Sequence, residues 1–481
     1  MLKRRALVAT LWGGGDIVLR QGFQVITTIV LARLVTPADF GALAMLALFT
    51  GVAGVLMDGG FSAALIQRQD VSHTDESTVF WCNLGIGAVL TLGLCVAAPA
   101  IASFFAAPVL APLTRVTALV VLFGALGAIH STLLIKQLDF RTNAKASLGA
   151  ALLSGTTAIF MAWLGCGVWA LATQAVVMAA AMSALLWLMN PWRPAWVFSP
   201  ASMRKLFAFG GYHLGSSLME MAYGRLYTLL IGRQFGARDL GLYHNAEMVR
   251  QVPIGIFGGL LARVALPMYS EAAQDTAILR RGVQLSIRGT MLISVPMMLA
   301  MAALAEPLIA VVFGDRWLPA APILQVLCVA GVLYPLHAIN LHVLMARGHA
   351  RSMFRLELIK KTFGVALLAA GAFYGVMGVA WSQLVFSFLV LVINAHYTKR
   401  WLGYGAINQL REIAPAAISA SLVAILVAAV SRAWDAVPLL ELGVLGGAGV
   451  LAYLAVIAVA RVHALQEMLD LFRNKQPRHS P

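Results

Sequence analysis

The sequence predicts an all-α polytopic membrane protein, with about 14 transmembrane helices forming two six-helix bundles and two C-terminal helices. Four observations support this fold class. Of the 481 residues, 60% are hydrophobic and only 11% are charged, whereas soluble proteins carry about 25% charged residues. Apolar runs long enough to cross a hydrocarbon core of about 30 Å recur along the whole chain. Basic residues concentrate in alternate loops, and one loop motif returns at an offset of 200 residues.

The predicted helices follow one another with short connections. Residues 165–167 separate the fifth and sixth helices, and residues 375–376 separate the eleventh and twelfth. Links this short make the helices on either side antiparallel neighbours. The predicted spans are 8–32, 39–58, 79–99, 111–134, 146–165, 167–189, 206–231, 241–266, 284–306, 320–346, 357–375, 377–398, 412–431 and 438–461.

The loop charges predict the orientation of the chain. If the N-terminus lies in the cytoplasm, 25 of the 35 Lys and Arg residues fall in cytoplasmic segments and six fall outside. Cytoplasmic loops of membrane proteins carry such an excess of basic residues. We therefore expect a multi-pass protein of the bacterial inner membrane, with both termini in the cytoplasm. The same asymmetry accounts for the net charge of +15, so we expect no nucleic-acid partner.

An internal repeat relates the two predicted bundles. The segment LARLVTPADFGALA (31–44) returns as IGRQFGARDLGLYH (231–244), each between the first two helices of a set. Because six helices separate the copies, the halves have the same orientation, as in transporters with parallel repeats around a cavity. The positions that align are Arg33, Asp39 and Gly41 with Arg233, Asp239 and Gly241.

The repeat predicts the domain organisation. We expect an N-terminal six-helix bundle at 1–190, a cytoplasmic linker at 191–205 and a second six-helix bundle at 206–400. Helices 13 and 14, with a cytoplasmic tail, occupy 401–481 and lie outside the repeat.

Motifs for catalysis and cofactor binding are missing from the sequence. It contains no GxxxxGK[ST] phosphate loop, no HExxH zinc motif and no nucleophile elbow. The four cysteines lie far apart without a CxxC pair, which favours packing roles over a metal or disulfide framework. We therefore expect neither an enzyme nor a resident cofactor or metal.

Four stretches of the sequence resemble a known family. They are LVTPADFGALAM (34–45), DGGFSAALIQRQDVSHTDESTVFWCNLGIG (58–87), GLYHNAEMVRQVPIGIF (241–257) and ARVALPMYSEAAQD (262–275). With two six-helix bundles and two further helices, the chain resembles the multidrug/oligosaccharidyl-lipid/polysaccharide exporter superfamily. Within it, these stretches look like the polysaccharide transporter (oligosaccharide flippase) branch, especially the lipopolysaccharide and colanic-acid exporter type.

This resemblance implies a flippase. Such a protein moves undecaprenyl-pyrophosphate-linked oligosaccharide repeat units from the cytoplasmic to the periplasmic leaflet, for exopolysaccharide, capsule or O-antigen assembly. It also implies partnership with a polysaccharide polymerase and a chain-length regulator, besides contact with membrane lipids. Without a phosphate loop, the energy must come from an ion gradient, the substrate gradient or removal of product outside.

Charged and polar side chains inside the spans are the candidate site residues, because charge within a membrane is energetically expensive. Three of them, spaced by four, share one face of helix 1, and the others lie on helices 7 and 8. They are Asp16, Arg20 and Gln24; Glu220 and Arg225; and Glu247, Arg250 and Arg263.

The arginines have two interpretations. In the first interpretation, they line a cationic lumen that offsets the charge of the pyrophosphate, because a guanidinium stays charged and binds phosphate with two N–H groups. Alternatively, Arg20 and Arg250 pair with carboxylates one turn away, while Arg225 and Arg263 extend to the nearest membrane surface. We expect substrate contact from Arg20, Arg250, Arg225, Gln24 and, most weakly, Arg263.

The three embedded carboxylates also have two interpretations. In the first, a proton or sodium ion that couples transport to a gradient binds to Asp16, Glu220 and Glu247. The alternative is that they remain charged partners of the arginines.

Three rival functions differ in the charge and domains they require. A drug/cation antiporter of the same superfamily needs a cavity of net negative charge, whereas this chain embeds four arginines and three carboxylates. A peptidoglycan-precursor flippase is chemically close, and only the motif similarity disfavours it. A membrane-embedded polymerase or glycosyltransferase needs a long periplasmic loop or a cytoplasmic catalytic domain, and the sequence has neither.

Overall fold

The computed structural model describes residues 22–68, 70–348, 350–434 and 436–459. Over these residues the chain consists of helices and connections, without a strand. Eleven helical segments of this part are long and apolar enough to cross a membrane. The predicted all-α polytopic fold is therefore confirmed.

The chain divides into two compact units, Met1–Gly241 and Leu242–Pro481. The expected boundaries at residues 190, 205 and 400 remain a prediction. The first unit contains nine helices of the described chain, the last of which continues into the second unit. They are α1 (Gly22–Leu34), α2 (Pro37–Asp58), α3 (Phe61–Gln67), α4 (His73–Phe104), α5 (Leu110–Thr117), α6 (Leu119–Lys136), α7 (Phe140–Trp163), α8 (Val168–Met189) and α9 (Pro200–Glu271).

The second unit begins within α9 and is also helical. A 3₁₀ turn at Asp315–Ala320 precedes α12, and Pro335 in the first turn of α13 accompanies the break between α12 and α13. The helices that follow α9 are α10 (Thr276–Ala303), α11 (Ala305–Val312), α12 (Ala321–Gly331), α13 (Tyr334–Ala346), α14 (Ala350–Ala372), α15 (Gly375–Leu402), α16 (Ala406–Ala433) and α17 (Pro438–Val459).

The count of 14 spans remains a prediction. The first predicted span, 8–32, lies largely outside the described residues. Helix α14 has several charged residues and is not among the eleven apolar segments. Predicted helices 7 and 8 form the single run α9, in which only Gly236 leaves the helical conformation (φ 87°, ψ −177°). The predicted break between them is present at Gly236, but it is a kink at one glycine with positive φ and the expected loop is wrong.

Capping residues determine where α2 and α4 begin. Thr36 precedes α2, and its hydroxyl and backbone N–H both donate to Asp39 Oδ2, at 2.6 and 3.0 Å. Ser72 and Asp75 form the same capping box before α4. Such boxes satisfy backbone N–H groups that a helix end leaves unpaired. Because of its cap, α4 starts six residues before the apolar run that predicted it.

The sequence repeat produces a reciprocal backbone contact. A Cβ on Gly41 would lie 1.7 Å from the carbonyl oxygen of Ala237, and a Cβ on Gly241 would lie 1.8 Å from that of Pro37. Pro37 and Gly41 are offset by 200 residues from Ala237 and Gly241. The two copies of the motif therefore pack against each other through equivalent atoms, and only glycine permits this approach.

The segment before α9 is attached to the start of α4. Trp192 Nε1 donates to Glu76 Oε2 (2.7 Å), and Trp81 Nε1 donates to the carbonyl of Ala195 (2.9 Å). Further along, Lys205 Nζ lies 3.0 Å from Asp70 Oδ2. This contact lowers the pKa of the fully exposed Asp70 carboxyl. The predicted linker is thus an ordered part of the first unit.

Polar contacts attach α16 to the second unit. Asn340 and Gln409 exchange two amide hydrogen bonds of 2.8 Å, and Thr398 donates to Asn340 Oδ1 (2.6 Å). All three side chains are fully buried. Nearby, Glu412 of α16 accepts hydrogen bonds from Gln284 and Arg288 of α10, at 3.0 and 3.3 Å. Because buried amides without partners are costly, this network specifies how α10, α13, α15 and α16 pack.

Candidate functional site

The second part of α9 holds a charged pair inside the second unit. Arg250 Nη2 donates to Glu247 Oε1, three residues earlier, and Gln251 Nε2 donates to the same oxygen (2.7 Å). The side chains of Arg250 and Glu247 are 12% and 24% exposed. The ion pair described by the alternative interpretation of Arg250 is therefore observed.

Both members of this pair keep a hydrogen-bonding atom unused. Arg250 Nε and Glu247 Oε2 are buried, and neither has a hydrogen-bond partner among the described residues. A buried donor without a partner costs about 1–3 kcal/mol, and more when it is charged. This guanidinium N–H is able to donate to a ligand that supplies an acceptor.

The surroundings of Arg250 come from α12 and α15. A Cβ added to Gly331 of α12 would lie 3.7 Å from Arg250 Cδ, so the arginine stem lies against this glycine. Tyr243, one turn before Glu247 on α9, accepts a hydrogen bond from Gln383 of α15 through its hydroxyl. The pair therefore sits among packed helices of the second unit.

Arg225 and Glu220 lie on the part of α9 that belongs to the first unit. Arg225 is half-buried and Glu220 is exposed. Among the described residues neither side chain forms an ion pair. The structure therefore leaves this arginine without the carboxylate partner that offsets the charge of Arg250.

The remaining candidates are less buried or lie outside the described chain. Arg263 is exposed, as expected if its guanidinium extends towards the membrane surface. Gln24 is exposed on α1. Asp16 and Arg20 lie outside the described residues, so the predicted face that they share with Gln24 remains a prediction.

An open cavity of about 290 Å³ lies between α2 and α9 in the first unit, and sequence analysis missed it. Asp58, at the C-terminal end of α2, was placed at a span boundary and left out of the embedded carboxylates. The motif DGGF, which begins with Asp58, was the available signal. The lining residues are Gly51, Gly54, Val55, Asp58, Gly60, His213, Leu214 and Ser217.

Metal chemistry has no candidate site in the described chain. Over residues 22–459, apart from the three undescribed positions within that range, no three His, Cys, Asp or Glu residues come together. The four cysteines are unpaired.

These features define a class: a multi-pass membrane protein built of helices. Its fold is similar to that of the lipid II flippase MurJ in an inward closed conformation, with a TM-score of 0.70 and 15% identity. That similarity covers 94% of this chain and 98% of MurJ. The family model for "Polysaccharide biosynthesis protein" matches residues 30–322. The chain belongs to this polysaccharide biosynthesis family, which confirms the resemblance found in the sequence.

Two curated relatives extend the comparison. The succinoglycan biosynthesis transport protein ExoT of Rhizobium meliloti (strain 1021) is 28% identical over 466 residues, covering 96% of this chain and 94% of ExoT. The teichuronic acid biosynthesis protein TuaB of Bacillus subtilis (strain 168) is 29% identical over 382 residues, covering 79% of this chain and 78% of TuaB. The chain is thus a multi-pass membrane protein of the polysaccharide biosynthesis family.

Proposed function

We propose that this protein flips undecaprenyl-pyrophosphate-linked oligosaccharide repeat units from the cytoplasmic to the periplasmic leaflet of the bacterial inner membrane. The observation that carries the proposal is that the chain belongs to the polysaccharide biosynthesis family and has eleven span-length apolar segments within its described residues. Its relatives are named for different polymers, succinoglycan and teichuronic acid. Their shared role in polymer assembly transfers to this chain, and the identity of the polymer does not.

Arg250 supplies the charge that such a substrate requires. A pyrophosphate must leave water to cross the bilayer, and an arginine with an unused N–H compensates part of that loss by a charge-assisted hydrogen bond. Arg225, which has no carboxylate partner among the described residues, is the second candidate. Glu247 reduces the energetic cost of holding Arg250 inside the membrane, and a carboxylate there is also available to bind a coupling cation.

The proposed orientation places both termini in the cytoplasm. Its support is the distribution of Lys and Arg between alternate loops. In the cell, a polymerase and a chain-length regulator would receive the repeat unit at the periplasmic face.

Reconstitution tests the proposed activity directly. Purified protein is placed in vesicles that carry the lipid-linked oligosaccharide extracted from a strain lacking this gene, and an added glycosidase reports the sugar on the outer leaflet. We expect the protein to make the inner-leaflet sugar accessible, while protein-free vesicles keep it protected. Equal protection in both preparations would contradict the proposal, and uptake of a lipophilic cation such as ethidium would favour the drug-antiporter rival.

A further inference from the structure

The cavity between α2 and α9 has an open wall beside a tight helix contact. A Cβ added to Gly60 would lie 2.1 Å from the carbonyl oxygen of Gly210, so the two segments touch there through backbone. A Cβ added to Gly54, about two turns away on α2, would meet no atom within 4 Å. Gly60 therefore permits packing, whereas Gly54 leaves space that a larger side chain would fill.

One carboxylate oxygen in this cavity is held in position by a chain of hydroxyl groups. Thr132 Oγ1 donates to Ser62 Oγ (2.9 Å), and the Ser62 hydroxyl donates to Asp58 Oδ1. Asp58 is half-buried, and no cationic side chain of the described residues pairs with it. The other carboxylate oxygen remains available to accept hydrogen bonds from a ligand in the cavity.

The composition of the wall selects the class of ligand. Among the described residues that line the cavity, no Lys or Arg offsets the charge of Asp58, which disfavours a phosphate group there. The cavity has room for on the order of ten water molecules, which is too large for one bare ion. Asp58, His213 and Ser217 together offer an acceptor, an imidazole and a hydroxyl. This set matches a neutral ligand with several hydroxyl groups.

We infer that the cavity between α2 and α9 binds a sugar of the lipid-linked oligosaccharide, with Asp58 accepting hydrogen bonds from its hydroxyl groups. The inference rests on the proposed function and adds to it a separate subsite for the sugar. A site built to bind hydroxyl groups discriminates strongly against ligands that lack them. Asp58 therefore contributes to choosing the sugar, whereas the pyrophosphate is common to every such substrate.

The test compares two lipids that differ only in the sugar. Undecaprenyl pyrophosphate is one probe, and the lipid-linked oligosaccharide extracted from the deletion strain is the other. Both are titrated into purified protein in lipid nanodiscs. We expect the wild-type protein to bind the glycosylated lipid more tightly, and Asp58→Asn to reduce this preference about tenfold without changing affinity for undecaprenyl pyrophosphate.

Two further variants make the result decisive. Gly54→Leu places a larger side chain at the open wall, where an added Cβ meets no atom within 4 Å, so it is expected to reduce the preference for the glycosylated lipid. Asp70→Asn removes an exposed carboxylate of the same unit and should have no effect. An unchanged preference in both Asp58→Asn and Gly54→Leu would overturn the sugar subsite. Failure of the wild-type protein to bind either lipid would instead contradict the proposed function.

Discussion

Replacing Arg250 by methionine is expected to stop polymer export. The variant loses the guanidinium that the pyrophosphate would contact, and a hydrogen bond to a charged group contributes about 1.5–3 kcal/mol. Substrate affinity should therefore fall roughly 10- to 100-fold. The measurements are exported polymer in a deletion strain carrying the variant and affinity of purified protein for undecaprenyl pyrophosphate.

A second variant separates substrate binding from stability. Arg250→Met leaves the half-buried Glu247 without its cationic partner, which destabilises the protein although Gln251 still donates to the carboxylate. Glu247→Gln in the same chain removes that charge, so the double variant should recover the thermal stability of the wild type and remain inactive. Arg281→Met, at an exposed arginine of the same unit, is the control and should export normally. Recovery of export by the double variant would mean that Arg250 only balances Glu247.

Replacing Gly241 by alanine is expected to destabilise the protein strongly. The new methyl carbon would lie 1.8 Å from the carbonyl oxygen of Pro37, so the two backbones must separate. Overpacking commonly costs about 1–3 kcal/mol, and contact with rigid backbone lies at the upper end of that range or above it. Gly41→Ala should behave in the same way, because its position in the reciprocal contact is equivalent.

The matched control is Gly224→Ala. This glycine also lies on α9 in the first unit, but a Cβ there meets no atom within 4 Å. Alanine is favoured over glycine in helices by up to about 1 kcal/mol, so this variant should be as stable as the wild type or slightly more stable. Melting temperature and monodispersity in detergent measure the difference. Equal melting temperatures for Gly241→Ala and Gly224→Ala would mean that the repeat motif does not form this contact.

Hydropathy predicted the helices accurately where an apolar run ends abruptly. The sixth span was predicted at 167–189, and α8 runs over Val168–Met189. It predicted the ends less well where polar residues continue a helix, as at Ser72, because a cap adds no hydrophobicity. It missed the helical continuity across Gly236, since a kink at one glycine and a loop give the same apolar pattern.

The candidate site was predictable only where its contacts are local. Glu247 and Arg250 lie three residues apart on one helix, so their pairing follows from helix geometry. Asp58 and His213 line one cavity although 155 positions separate them in the chain. No local pattern reports such a meeting, because it depends on how α2 packs against α9.

The most direct test of the proposed function is to delete the gene and analyse the lipid-linked intermediates of the inner membrane. Mass spectrometry identifies what accumulates, and a periplasmic glycosidase reports the leaflet that holds it. We predict a complete undecaprenyl-pyrophosphate oligosaccharide that the glycosidase cannot reach, together with loss of the exported polymer. Normal intermediates and normal polymer, in a strain without a second flippase, would contradict the account.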